Sequence, residues 1–271
     1  MDNNIHFPTS AAAHVFSGLI TSPRFGIGPF ITPKEFVYGV IGLNAAIFGR
    51  WFHAQNQQSS TERDHQTRWM SDHFTVSWRN MRAKREYTLL TSAFSHADIS
   101  HLFANMFVFK EMAELAFRLG LGTGHMLVLT AGSAVSARVG LLWDQATGGD
   151  TSGGYGYALS ERLGAAGVVQ GITAALVCMA PETPTRPFGV PVVLPLWSVF
   201  AGFLAWDAWK LTKERVGASG GSGRGGWMRE IVGKKNIVGY AAHLAGAAFG
   251  GLFYLVALRV RFADRRVVWV Y

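Results

Sequence analysis

Six stretches of mostly apolar residues, each near the length of a membrane-crossing helix, constrain this chain more than any other feature. A bilayer core of about 30 Å takes roughly 20 apolar residues per helix. Inside hydrocarbon every backbone N–H and C=O must be paired within the protein, and a helix pairs them within its own segment. The stretches run from about Phe36 to Phe52, Ile99 to Leu119, Met126 to Trp143, Leu163 to Met179, Val190 to Trp209 and Ile237 to Leu258. Charged residues, glycine or proline close them, and Arg138 interrupts the third. The pattern predicts an all-α, polytopic membrane protein with six transmembrane helices in one bundle.

Composition points the same way. Of 271 residues, 49% are hydrophobic and 15% are charged, where a soluble domain carries about 25% charge. The net charge of +8 would suit a nucleic-acid binder. The basic residues, however, fall in short runs between apolar stretches rather than on one stripe, as they do beside membrane helices. Membrane lipid is therefore an expected partner, and nucleic acid is not. A single cysteine, Cys178, excludes a disulfide framework and a thiolate metal cage.

The flanks divide the chain further. Residues 1–35 read as an N-terminal extension broken by Pro8, Pro23 and Pro29, without the basic and apolar succession of a secretory signal. Residues 55–88 mix Arg63, Arg68, Arg79 and Arg82 with Trp69, Phe74, Trp78 and Tyr87, a composition that suits an interfacial loop on the headgroups. Residues 211–236 read as a basic loop around a flexible Gly-rich linker, Gly217 to Gly226, and residues 259–271 as a basic tail. If the spans alternate, both basic loops share one face. The positive-inside rule then puts them inside and both termini outside.

A few polar residues sit where apolar ones are expected. His243 lies within the sixth stretch, and an ionisable group at membrane depth marks a functional site by default. Gly246 and Gly250 beside it, and Gly164, Gly167 and Gly171 in the fourth stretch, are spaced to line helix faces that let another backbone approach. His101 and Asn105 are one turn apart, so both project from one face of the second helix. With His96 upstream, three histidines could offer zinc a ligand set. The HExxH helix is absent and no carboxylate accompanies them in a span, so neither a metal nor another cofactor is expected. A channel would need more polar lining than His101, Asn105, Arg138 and Asp207 supply.

In their order along the chain, YTLLTSAFSHADISHLFANM, LGAAGVVQG and AAHLAGAAFGG resemble the signature of the rhomboid intramembrane serine proteases, over residues 36–258. The resemblance implies a six-helix rhomboid bundle around a hydrated cavity, with transmembrane segments of other membrane proteins as clients. In that family the serine of Gly-x-Ser-Gly attacks the scissile carbonyl and the sixth-span histidine is the general base. His and Asn of the second span stabilise the oxyanion. The matching positions here are Ala166, His243, His101 and Asn105.

Ala166 puts a methyl group where that family has its nucleophilic hydroxyl, and alanine cannot form an acyl-enzyme. In an unrelated serine protease, loss of the nucleophile alone costs about a million-fold in turnover. Ser160 lies roughly 9 Å upstream along a helix axis and Cys178 roughly 18 Å downstream, both too far to substitute. Ser133 and Ser136 read as helix-packing residues. A rhomboid-type endopeptidase scaffold that does not cleave is thus expected. The alternative is a natural pseudoprotease that acts as a membrane adaptor or as a client-retention or dislocation factor. The start of the second span and the WDAWKL end of the fifth look most like the mitochondrial branch of the family. That likeness implies the inner mitochondrial membrane, with the basic loops facing the matrix.

Overall fold

The computed structural model describes residues 31–96, 98–147, 164–187, 191–219 and 239–259, and these are mostly helical. Helix α1 (Pro33–Gln55) starts at a capping box in which Thr32 and Glu35 satisfy each other's backbone N–H, with Pro33 at the first helical position. Ser59 caps α2 (Ser60–Phe74) and Ser77 caps α3 (Trp78–Arg82). Then come the short α4 (Thr88–Thr91) and a 3₁₀ turn, Ser92–Phe94. Asp98 caps α5 (Ile99–Arg118), its carboxylate accepting the His101 N–H at 2.8 Å. Next are α6 (Thr123–Thr147), α7 (Ala166–Met179), α8 (Leu196–Ser219) and α9 (Tyr240–Phe253), the last running on into a π turn, Tyr254–Leu258. Two short antiparallel strands, β1 (Pro184–Thr185) and β2 (Leu194–Pro195), join α7 to α8.

The centre of the bundle is α9, packed on α7 and α6. Around it, α7 also meets α5, α8 rests on α9, and α1 lies against α5 and α2. Phe109, Met126, Leu129, Ile172 and Leu176 fill the core between them. Glycine sets the central contact. A Cβ on Gly246 would strike the Gly167 carbonyl, and one on Gly250 the Gly171 carbonyl, so α7 and α9 meet backbone to backbone.

Several boundaries differ from the sequence reading. The fifth helix begins at Leu196 rather than near Val190, because Val192 to Pro195 lead through the β hairpin and Pro195 has no N–H to give a helix interior. Arg138 does not interrupt α6, which passes through it unbroken; the side chain is buried and hydrogen-bonded. The interfacial stretch 55–88 is largely helical, since α2 and α3 fall inside it. Likewise α8 runs to Ser219, so the first part of the basic loop 211–236 is helix. Most of the N-terminal extension, Ser160, the rest of that loop and most of the C-terminal tail lie outside the described residues.

Among the described residues, two helical segments are long and apolar enough to cross a bilayer, Thr123–Thr147 and Tyr240–Leu258. Helix α7 is apolar but only 14 residues long. The other long helices carry charge: Lys34, Glu35 and Arg50 on α1, Lys110, Glu111 and Glu114 on α5, and Asp207, Lys210 and Lys213 on α8.

Candidate functional site

The site grows from the turn that starts α7. Gly164 has φ of +122°, a conformation that favours glycine, and a Cβ there would also come within 2.8 Å of the His101 ring. Both sides of the following peptide are held. Arg138, buried on α6, donates from its guanidinium to the Gly164 carbonyl at 2.5 Å and to the Ser92 carbonyl at 3.3 Å. The Ala165 N–H donates to His96 Nε2 at 3.4 Å. Ala165 is the N-cap and contributes no side-chain cap. Ala166, half-buried, is the first helical residue. The first turn of a helix has N–H groups without intrahelical acceptors, so amide donors gather at this point.

His243 lies in the first turn of α9, and its Nδ1 is 3.0 Å from Asp207 Oδ2 on α8. Both side chains are largely buried, at 15% and 6% exposure. An ionised carboxylate only accepts hydrogen bonds, so this pairing places the imidazole proton on Nδ1 and leaves the Nε2 lone pair available. A Cβ on Gly167 would lie 3.0 Å from the Ala242 carbonyl. The neighbours of Ala166 and of His243 therefore touch through their backbones. The His101 ring lies against Gly164, beside the start of α7. The structure thus gathers Gly164, Ala166, Gly167, His101 and His243 where α5, α7 and α9 converge.

The structure places the remaining polar residues around this junction. Asn105 is buried, and one N–H of its Nδ2 donates to the His101 carbonyl at 3.0 Å, which leaves its second N–H as a donor. His96 is almost fully buried, and its ring stands edge-on to His101 at 5.2 Å. Burial first, then the neighbouring His101, holds the His96 imidazole down at about 3, so it stays neutral. Ser136 donates to the Ala245 carbonyl at 2.9 Å, joining α6 to α9, and Ser133 is buried against Gly171.

The sequence did not link Asp207 to His243 or Arg138 to Gly164. One signal was present for each, a charged side chain inside an apolar helix, which is expensive unless paired. The partner in each case lies on a different helix and leaves no spacing to read.

Residues 83–260 match the family model described as the rhomboid domain. Over 239 residues the chain is 29% identical to RHOMBOID-like protein 12, mitochondrial, of Arabidopsis thaliana, covering 86% of this chain and 61% of that protein. Over 230 residues it is 24% identical to Rhomboid protein 1, mitochondrial, of Saccharomyces cerevisiae, covering 82% and 53%. The chain thus spans a little over half the length of these curated relatives. The matched segment takes in α5 to α9 and every site residue described above, and the chain belongs to the rhomboid family, whose members are embedded in membranes.

Proposed function

We propose that α1, α5, α6, α7, α8 and α9 are six membrane spans of a rhomboid domain at residues 36–258, and that this scaffold binds transmembrane segments of client proteins without hydrolysing them. One observation carries the reading: His243, oriented by Asp207, stands beside the turn whose first helical residue is Ala166. A base, an orienting carboxylate and a cluster of amide donors are present, and the hydroxyl is not. With serine at 166, Oγ would attack the scissile carbonyl while His243 Nε2 takes its proton. The oxyanion would collect N–H donors from the start of α7, from His101 and from Asn105. The mitochondrial relatives support placement in a mitochondrial membrane, and the inner membrane is our assignment.

The test is paired cleavage in liposomes, this chain beside Ala166→Ser, with a reporter whose transmembrane helix has small residues near one end. Cleavage by the variant alone supports the reading. Silence from both defeats the retained dyad geometry and favours a natural adaptor or dislocation factor, a role the Ala166 methyl already suits.

A further inference from the structure

The Gly164–Ala165 peptide is gripped from both sides by residues of two other elements. Its carbonyl accepts from Arg138 on α6, and its N–H donates to His96 in the loop before α5. Arg138 is 4% exposed and His96 1%. A buried guanidinium inside a membrane helix is costly and is retained where its charge is used. Here it is spent on two carbonyls, Gly164 and Ser92, that belong to the two segments flanking the site. Gly164 also has the positive φ that sets the plane of this peptide against the helix that follows. A rotation of that plane would swing the first amides of α7 with it.

We propose that Arg138 and His96 form a peptide clamp that fixes the Gly164–Ala165 plane, so that the Ala166 and Gly167 amides stay aimed at the position of an oxyanion. Both are positioning residues, acting through the backbone and touching no substrate. The inference rests on the proposed use of this site for acyl chemistry, and it names the device that keeps the site organised while the nucleophile is missing. Preorganised donors cost no rearrangement as charge develops, and misplacing them by about 1 Å costs on the order of a hundred-fold in rate.

Two measurements decide it. In the Ala166→Ser background, Arg138→Gln is expected to lower kcat about a hundred-fold with KM little changed. Arg138→Lys, which keeps a donor for the Gly164 carbonyl, should recover most of the loss. Equal kcat in all three, or an effect on KM alone, overturns the clamp. Independently of any activity, hydrogen exchange on the chain as it stands reads the amides of residues 165–168. Arg138→Gln and His96→Phe are expected to speed their exchange about tenfold or more while the middle of α9 stays protected, with Arg138→Lys near the parent. Unchanged exchange at 165–168 overturns the clamp. If Ala166→Ser proves inactive, the protease reading fails while the exchange data still decide on the clamp. If Arg138→Gln does not fold, the Arg138→Lys and His96→Phe pair carries both readouts.

Discussion

His243 Nδ1 and Asp207 Oδ2 face each other at 3.0 Å across α9 and α8, from positions 36 residues apart in the chain. The carboxylate selects the tautomer that leaves Nε2 as an acceptor. In the Ala166→Ser background, Asp207→Asn is expected to lower kcat by between about 10² and 10⁴, since an amide in place of the carboxylate can impose the wrong tautomer. Progress curves on a transmembrane reporter check this. An unchanged kcat would reduce Asp207 to a packing partner of the imidazole.

The glycine contact between α7 and α9 is expected to show in stability. Gly246→Ala forces a Cβ into the Gly167 carbonyl and should cost about 1–3 kcal/mol, as overpacking does. Gly202→Ala on α8 meets nothing within 4 Å and removes a helical glycine, so it should be neutral or stabilising by up to about 1 kcal/mol. Unfolding midpoints in one detergent, taken side by side, separate the two. Equal midpoints would mean that the helices separate without cost.

Much of this contact was legible in the chain. The spacing of Gly167 and Gly171, and of Gly246 and Gly250, named faces that need a close neighbour, and a helix keeps such spacing fixed; Gly164, read as part of the same face, instead lies in the turn before α7 and meets His101. What the spacing could not tell is which helix meets which. Asp207 and Arg138 look alike in sequence, lone charges in apolar runs, yet one serves the imidazole and the other a carbonyl. Helices α2 and α3 were missed for another reason: their residues are too polar to show an apolar stripe, and serine caps rather than core contacts mark where they begin. The start of α8 was misplaced because Val192, Val193 and Leu194 are as apolar as the helix they precede.

Lys84 closes α3 with φ of 55°, its N–H on the Met81 carbonyl and the Arg85 N–H on the Asn80 carbonyl. That is the Schellman arrangement, in which glycine is the unstrained residue. Lys84→Gly is expected to raise stability by about 1 kcal/mol. Thermal unfolding in detergent measures it, and a lower midpoint would show that the lysine side chain makes a contact worth more than the strain.

His96 gives the fold a pH dependence. Its imidazole is held at about 3 when folded, against an ordinary value of 6.5. Between those values the unfolded chain binds a proton that the folded chain refuses, so this residue's contribution to stability is intact above pH 6.5 and is lost as pH falls toward 3. The slope is about 1.4 kcal/mol per pH unit at most for one group. His96→Gln should flatten the unfolding midpoint across that window. A midpoint equally steep in both proteins would assign the acid sensitivity to other groups.

Because Gly167 meets Gly246 and Gly171 meets Gly250 through main-chain atoms, this contact between α7 and α9 does not depend on which side chain occupies position 166. A hydroxyl can be lost there, or regained, without disturbing the framework around it. On the proposed reading, one codon separates a protein that cuts from one that holds, and the contact between the two helices is the same in both.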